Sequence, residues 1–203
     1  MTVDVARMPM SDRFQHLFSV ISSRRFLDKQ GLGNEVPFFI CPFKPEEGVE
    51  MVRMQSQLVS RLAHTGVRAL EVNLYDVTIE ILKRDGDFEW LIDNEQSLSK
   101  VKFQEELQGI LDVESELIPA IAAKLAGQEF EVLFLSGVGE VFPYIRSHNV
   151  LNNLQSTAKE KPTIMFFPGA YTHSLESGAS LDLFGRFHDD KYYRAFNIFH
   201  CEV

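Results

Sequence analysis

The stretch from Phe130 to Tyr171 constrains the fold of this chain more than any other part of the sequence. It reads FEVLFLSGVGEVFPYIRSHNVLNNLQSTAKEKPTIMFFPGAY: an apolar run, a glycine turn, a helical pattern, a second apolar run and a Pro-Gly break. Apolar runs without polar alternation indicate strands buried on both faces, and the helix between them makes the unit a βαβ crossover in a parallel sheet. Because ligands of such sheets bind beyond the carboxyl ends of the strands, Ser136–Glu140 and Pro168–Tyr171 should share one rim.

The first third of the chain predicts the start of this sheet. Helical spacing of apolar residues predicts a helix over Met8–Leu27 with Ser11 as its N-cap, and VPFFIC at Val36–Cys41 predicts a central strand. A second helix should begin with Pro45 in its first turn and end at Gly66. Its apolar stripe consists of Met51, Met54, Leu58 and Leu62.

The next segment predicts a second strand and a turn. Val67–Tyr75 alternates in polarity, and Asp76 should cap a short helix that follows it. The same Asp76, at a strand end on the rim, could be catalytic, but capping explains it more simply. Arg84–Asp93 is polar and predicts a turn, which Trp90 and Leu91 should pack against the protein.

The C-terminal segment predicts the last part of the sheet. Thr172–Ser180 predicts a polar loop, LDLFG a short apolar turn, and Tyr193–Phe199 a final strand. Together these elements predict a three-layer α/β sandwich with a mostly parallel central sheet of about five strands, resembling a P-loop NTPase core that lacks the phosphate loop. With 203 residues, 45% of them hydrophobic, residues 1–203 should form a single domain.

Targeting signals and cysteines indicate where such a protein works. No apolar run approaches the ~18 residues of a spanning helix, and the N-terminus lacks the apolar core of a signal peptide. We therefore expect a cytoplasmic protein with no membrane partner. The two cysteines, Cys41 and Cys201, are predicted to be free thiols at strand ends, as a reducing compartment favours.

The net charge of −9 is concentrated in one segment. Between Asp85 and Glu131 there are twelve acidic and three basic residues, so this segment accounts for the whole imbalance. It contains a helical pattern over Glu95–Leu125, broken near Leu111, that is long enough to project from the sheet. A solvated acidic surface is the simpler interpretation, and a docking face for a basic partner is the alternative. Direct DNA binding is disfavoured because phosphate contacts need a basic face, although Arg24, Arg25 and Lys29 could form a local patch.

The sequence provides no motif for a phosphate or magnesium site. No GxxxxGK[ST] occurs, and Glu46 and Glu47 place negative charge at the helix start where a phosphate would bind. The strand that begins at Phe130 runs into Ser136-Gly137, and its first acid, Glu140, follows on the turn, which makes a poor magnesium site.

Nucleophile and metal motifs are missing as well. Ser136 lacks the GxSxG context of a catalytic serine, so Gly137 and Gly139 are interpreted as glycines that a tight turn requires. The six histidines show no metal-ligand spacing; His188-Asp189-Asp190 could offer ligands, but a solvated turn is the simpler interpretation. We therefore expect no catalytic residue, no metal and no cofactor.

Aromatic residues near the rim predict a different role. Most of the seventeen phenylalanines fall in predicted strands and are interpreted as core. Phe142, Tyr144 and Tyr171 lie near the rim instead, where aromatic side chains could contact a peptide or a partner protein. With Glu140 and Arg146 they form the predicted partner-binding set.

Four blocks of the sequence resemble a known family over essentially the whole chain. They are FFICPFKPEEG, LFLSGVGEVFPYIRSHNVLNNLQ, PTIMFFPGAY and LDLFGRFHDDKYYRAF, and the most specific part is GVGEVFPYIR followed by PTIMFFPGAY. The chain resembles the BrxB family of bacterial BREX phage-defence systems. The family has no catalytic motif to transfer; the positions that match its pattern, as candidates for a structural or docking role, are Gly137, Gly139, Glu140, Pro143, Arg146, Pro168, Gly169 and Tyr171.

The resemblance implies a cytoplasmic component of a multi-protein assembly. Its first expected partner is PglZ, a phosphatase-like protein, with the ATPase BrxC and the adenine methyltransferase PglX as further candidates. The predicted function is that of a non-catalytic adaptor that binds and regulates PglZ. The alternative is a nucleotide-binding or phosphoester-cleaving enzyme with a degenerate P-loop-like fold, which rests on fold analogy alone.

Overall fold

The fold was analysed in a computed structural model that describes residues 8–30, 37–154, 157–174, 178–190 and 195–202. Residues 31, 33 and 34, which were predicted to end the first helix, lie outside the described residues, as does Tyr193 at the start of the predicted final strand.

Helices flank a central sheet. In chain order they are α1 (Met10–Ser22), α2 (Arg24–Leu27), α3 (Gly48–His64), α4 (Leu74–Asp85), α5 (Asp87–Asn94), α6 (Lys100–Ile110), α7 (Ile118–Leu125) and α8 (Ser147–Leu154). Pro45–Glu47 and Ile198–His200 form 3-10 turns, and Val113–Leu117 forms a π-helical turn before α7. None of the described helices is both long enough and apolar enough to cross a membrane.

The sheet is mostly parallel, as predicted. Its strands are β1 (Phe38–Phe43), β2 (Ala69–Asn73), β3 (Val132–Ser136), β4 (Thr163–Ser174), β5 (Gly178–Leu183), β6 (Phe187–Asp190) and β7 (Phe196–Asn197). Five of them form a parallel path in the order β2-β3-β4-β1-β7. The β3-α8-β4 unit confirms the βαβ crossover, because β3 and β4 are parallel neighbours joined by a helix. The further resemblance to a P-loop core stays a prediction.

Side chains on the two faces of the sheet enter separate hydrophobic cores, which gives the predicted three layers. Phe134 and Phe166 pack with α1, α2 and α3 on one face, whereas Leu135 and Phe167 pack with α4, α5, α7 and α8 on the other. All four are at most 2% exposed. Strands covered on both faces need apolar residues at consecutive positions, which explains the unbroken apolar runs in the sequence.

Two predicted helix caps are wrong. Pro9 occupies the N-cap position of α1, so Ser11 lies inside the helix; the Met8–Leu27 prediction also divides at Ser23, whose hydroxyl caps α2. Asn73 caps α4 by accepting hydrogen bonds from the amides of Tyr75 and Asp76, so Asp76 lies in the first turn. Asn and Asp are about equally good caps, and the residue at the end of β2 is the one that adopts the extended backbone a cap requires.

The polar segment after α4 is helical, which corrects the predicted turn. Gly86 adopts a left-handed backbone that ends α4, and α5 begins directly after it. Leu91 is buried as predicted, but Trp90 is 44% exposed and does not pack the segment down. The predicted break near Leu111 is confirmed, since α6 ends at Ile110.

The acidic segment packs against the sheet and does not project. Leu111, Leu117 and Ile121 are buried in the core beneath β3, and Phe103 and Leu107 of α6 pack against the same cluster. An amphipathic segment of this kind buries its apolar side and leaves its carboxylates in water. The length and charge of the segment allowed it to project, and its apolar side chains decide that it packs instead.

The second half of β4 corrects three further predictions. The Pro168-Gly169 pair does not end the strand: Phe43 pairs with Pro168, and from Gly169 the strand continues as an antiparallel partner of β5. The predicted loop at 172–180 and the predicted LDLFG turn are largely occupied by this hairpin, and the predicted solvated turn at 188–190 is part of β6. Buried Leu181 and Leu183 alternate with polar residues in β5, as a hairpin covered on one face requires.

Two smaller predictions concern the end of the chain and the cysteines. The final strand is the two-residue β7, which pairs with β1 and is followed by a 3-10 turn. Cys41 and Cys201 are both free; Cys41 is buried and Cys201 is half-buried.

Candidate functional site

The carboxyl ends of the parallel strands border a cleft of about 750 Å³, which we call the acidic cleft. Phe43 of β1, Asn73 of β2, Ser136 of β3 and Pro168 of β4 line it, and the first turns of α3 form its outer wall. The turn after β3 and Pro168 therefore share one rim, as predicted from the parallel order of the strands. Tyr171, the last residue of the predicted rim, does not line the cleft.

Protein groups at the two helix starts oppose the binding of a phosphate. At the first turn before α3, the Glu47 carboxylate accepts a hydrogen bond from the Lys44 amide at 3.2 Å and pairs with Arg13. At α4, Asn73 Oδ1 accepts from the Tyr75 amide at 2.8 Å. At α4 the Asn73 cap occupies amides that a phosphate would need. Before α3 the Glu46 and Glu47 carboxylates place negative charge where a phosphate would bind.

Four carboxylates give the cleft its charge. Glu46, Glu71, Asp76 and Glu140 line it, and none of its described lining residues is basic. Partial desolvation raises the pKa of the Glu71 carboxyl above its usual range. A phosphate ligand would meet only like charge here.

The glycines after β3 are required by close packing. Gly137 has φ of +76°, and a Cβ at this position would overlap Asn73 Oδ1. A Cβ on Gly139 would lie 2.9 Å from a ring carbon of Phe184 and 3.0 Å from Pro168 Cγ. Both positions thus need glycine for the turn to pack, as the sequence indicated. No described histidine lines the cleft beside Ser136 that could act as its base.

The turn from Gly137 to Arg146 is held in the core by three buried side chains and presents other side chains towards solvent. Val138, Val141 and Ile145 are at most 3% exposed and fix the turn in the core, and the Ile145 amide donates to the Val141 carbonyl at 2.9 Å. Between these buried residues, Glu140 and Arg146 are exposed, and Phe142 and Tyr144 are half-buried. A turn held in this way can present a fixed binding surface without ordering on contact.

Aromatic rings and an arginine meet on this surface. The Phe142 ring lies 4.6 Å from the Phe187 ring and 6.4 Å from the Phe184 ring, and the Arg146 guanidinium lies 5.3 Å from the centre of Phe142. The Tyr144 hydroxyl donates to the Glu140 carbonyl at 3.1 Å. We call the surface the aromatic rim; its members are Glu140, Phe142, Tyr144, Arg146 and Phe187.

Four of the five residues predicted to bind a partner therefore come together. The fifth, Tyr171, is only 6% exposed, and its hydroxyl donates to the Ala195 carbonyl at 2.6 Å. Burial raises the pKa of Tyr171 to about 12. The expectation that Tyr171 is exposed for binding was wrong, because the β4-β5 hairpin places its ring in the core.

Sequence reasoning missed other residues of the site. Phe187 and Phe184 reach the rim only because the β5-β6 hairpin folds back beside the turn after β3. Gln55 and Glu71 line the cleft from α3 and β2 without belonging to any motif. The one available signal was the pair of phenylalanines in LDLFGRF, which would lie beside the rim if this segment formed a hairpin.

The described residues include no group of three His, Cys, Asp or Glu side chains that could hold a metal ion. In the predicted cluster at the C-terminus, His188 Nδ1 lies 3.8 Å from Asp182 Oδ2, and the His188 side chain is 74% exposed. This pair does not form a metal site by itself.

Comparisons with known proteins relate the chain to one family. The family model described as "BREX protein BrxB" matches residues 70–198. A BREX protein BrxB of Bacillus cereus (strain H3081.97) is 34% identical over 196 residues, which cover 93% of this chain and 97% of that protein. A BREX protein BrxB of Escherichia coli O9:H4 (strain HS) is 29% identical over 188 residues, covering 92% of this chain and 90% of that protein.

No solved structure matches the chain. The family match and both relatives include β3, the anchored turn and β4, on which the acidic cleft and the aromatic rim are built. The chain belongs to the BrxB family of BREX proteins.

Proposed function

We propose that this chain acts in BREX phage defence as a non-catalytic adaptor that binds PglZ through the aromatic rim. Family membership supports the defence role, because the relatives are BREX proteins. The observation that carries the adaptor role is the cluster of Arg146, half-buried Phe142 and partly exposed Phe187. The first two lie on a turn that is fixed in the core, and Phe187 packs on Phe142 from β6.

The composition of the rim is typical of a protein-binding surface. Aromatic residues and arginine are enriched at interfaces, and rings held in place lose little conformational entropy on binding. Phe187 is 44% exposed, which leaves part of an apolar ring in water. A partner that covers this ring and pairs with Arg146 gains apolar contact and a charge-assisted bond together.

The enzyme alternative receives no support from the cleft. A nucleotide or phosphoester substrate carries negative charge, whereas the four carboxylates of the acidic cleft carry the same sign. Asn73 caps α4, and Glu46 and Glu47 place negative charge at the turn before α3. We therefore propose an adaptor and no catalytic role.

Capture of PglZ tests the proposal. The tagged chain is expressed with its gene neighbours, purified, and the captured proteins are identified and quantified by mass spectrometry; binding to purified PglZ is then measured by calorimetry. We expect PglZ to be captured, and BrxC and PglX to be recovered if the assembly is larger. Phe142→Ala and Arg146→Ala should each weaken binding about thirtyfold, as the loss of a ~2 kcal/mol interface residue would. Glu140→Ala probes the edge of the same surface.

The matched control uses an aromatic residue elsewhere with the same exposure. Phe187 and Trp90 are each 44% exposed, but Trp90 lies on α5, away from the rim. Phe187→Ala should weaken capture, and Trp90→Ala should leave it unchanged. A mixture of the two purified proteins that remains fully separate in gel filtration would refute the proposal. Equal losses for both alanine variants would refute the rim as its surface.

A further inference from the structure

The acidic cleft contains negative charge that the protein itself does not neutralise. Its four carboxylates form no ion pair and no side-chain hydrogen bond with any described residue. Elsewhere in the described structure carboxylates are paired: Lys124 binds Glu80 at 2.6 Å, and Arg84 binds Glu116 at 2.7 Å. Like charges gathered in one recess repel each other, so the cleft favours a cationic ligand.

A buried side chain in the cleft also lacks a partner. Gln55 of α3 is only 7% exposed, its side chain lines the cleft, and it forms no hydrogen bond with the described residues. The Gln55 amide atoms are not fully withdrawn from water, so they remain available to a ligand that enters the cleft. Gln55 offers both a carbonyl acceptor and an N–H donor, so a polar ligand in the cleft would satisfy it.

The arrangement of the carboxylates argues against a single metal ion as the ligand of the cleft. Within the described residues no three acidic, histidine or cysteine side chains converge closely enough to bind a metal ion. The negative charge is spread along the cleft, so it suits a ligand whose positive charges are also spread out. A cleft of about 750 Å³ can take a few residues of a peptide.

The apolar wall of the cleft further restricts the chemical class of the ligand. Val49 and Val52 on α3 line the cleft and are 68% and 61% exposed, and Phe184 closes its other side. Arginine combines an apolar stem with a planar, weakly hydrated cation that presents five N–H donors and stacks on aromatic rings. A small metal ion or an anion would gain nothing from contact with the valines or with the Phe184 ring.

We propose that the acidic cleft is the docking site for a basic, arginine-containing segment of a partner protein. Carboxylates of the cleft would accept hydrogen bonds from the guanidinium groups, Gln55 would accept another, and the valines would contact the aliphatic stems. Glu140 and Phe184 connect the cleft to the aromatic rim, since Glu140 belongs to both and Phe184 packs on Phe142. The inference deepens the proposed function, on which it rests for the identity of the partner.

A labelled peptide of four Arg-Leu repeats is the probe. Its binding to the full chain is measured by fluorescence anisotropy across a range of salt concentrations. The double variant Glu71→Gln/Asp76→Asn should weaken binding at least about tenfold, because it removes two charges from the cleft. Val52→Lys places a cation on an exposed position of the wall and should weaken binding similarly. Circular dichroism verifies that each variant is folded.

Glu105→Gln/Glu106→Gln is the matched control. It removes the same two charges from exposed positions on α6, outside the cleft, so binding should change by less than about twofold. Equal weakening by both double variants would mean that the peptide only senses net charge, and would overturn the inference. No saturable binding to the unmodified chain would overturn it too. Tight binding of spermine without peptide binding would assign the cleft to a small polyamine and overturn the proposal that a partner segment binds there.

Capture of the partner separates this inference from the proposed function. If the unmodified chain captures PglZ and the cleft double variant captures it equally well, the cleft is not the docking site but the adaptor role stands. If the peptide binds the cleft but PglZ is not captured, the adaptor role for PglZ fails and the cleft remains a site for basic segments.

Discussion

Removing one partner of the buried Arg13–Glu47 ion pair should destabilise the fold more than removing one partner of any exposed pair in the described structure. Arg13 on α1 is only 3% exposed and bonds to both Glu47 oxygens, at 2.6 and 3.1 Å, while its Nε donates to the Met8 carbonyl at 2.9 Å. Glu47 lies in the turn before α3, so the pair fastens α1 to the outer wall of the acidic cleft. Glu47→Gln would leave the arginine charge buried without a carboxylate.

The expected loss follows from that geometry. Removing one partner of a buried pair costs about 3–5 kcal/mol, and since Glu47 is 18% exposed we expect the lower limit, about 3 kcal/mol. For a chain of this size that corresponds to a melting temperature lower by about 6–12 °C. Urea denaturation followed by circular dichroism measures the free energy directly. The double variant Arg13→Met/Glu47→Gln should be more stable than Glu47→Gln alone, because it removes the unpaired charge.

The stabilisation by the Arg13–Glu47 pair should also depend on pH. The Arg13 guanidinium holds the pKa of the Glu47 carboxyl below its usual range. A lowered folded-state pKa means that the stabilisation is complete above the unfolded value, about 4.3 for glutamate, and is lost as pH falls through the folded value. The difference in unfolding free energy between the unmodified chain and Glu47→Gln should therefore shrink below pH ~4.

Glu129→Gln provides the comparison. Glu129 pairs with Arg68 at 2.6 Å, but the two side chains are 83% and 52% exposed. After the substitution water can replace the lost partner, and Arg68 retains its bond to Glu131 at 2.7 Å. We expect a far smaller loss of stability than for Glu47→Gln. Equal effects of the two substitutions, or a double variant no more stable than Glu47→Gln, would refute the argument from burial.

Three further predictions concern β4 and its neighbour β1. Gly169→Ala should destabilise the fold because a Cβ there would overlap the Asp182 carbonyl of β5; the unfolding free energy and the hydrogen-exchange protection of β5 should both fall. Tyr171→Phe should cost about 1–2 kcal/mol in urea denaturation because it leaves the Ala195 carbonyl without its donor. Burial raises the pKa of Tyr171 to about 12, so the stabilisation by its hydroxyl should be complete below pH ~10 and lost as pH rises towards the folded value. Absorbance at ~295 nm would follow the ionisation of the tyrosine. Burial raises the pKa of the Cys41 thiol well above its usual range, so Cys41 should react with a thiol reagent only after unfolding; rapid labelling of the folded chain would contradict its placement.

Local patterns account for what the sequence predicted correctly. The apolar runs at β1, β3 and β4 indicated strands buried on both faces, because each of their residues packs on one face or the other. Gly66 ends a helix as expected, since it adopts a left-handed backbone. The blocks GVGEVFPYIR and PTIMFFPGAY identified the family, which the comparisons confirm.

Errors arose where one segment fits two environments. Arg84–Asp93 is polar enough for a turn, yet it forms a helix because Leu91 and Phe88 reach the core from it. Pro168-Gly169 is a typical turn signal, but Pro168 needs no amide hydrogen bond where β4 leaves β1, and Gly169 allows the close approach of β5. Neither outcome is visible without the neighbouring strand.

The sequence by itself determined the α/β class, the parallel core and the family, because these depend on the spacing and composition of nearby residues. Only the tertiary structure decided which side chains form a surface. It buried Tyr171, brought Phe187 onto Phe142, and gathered Glu71 and Gln55 in one cleft across elements far apart in the chain. The physical reason is that exposure and electrostatic neighbours depend on how the β5-β6 hairpin and α3 pack around the strand ends, and no local pattern records that packing.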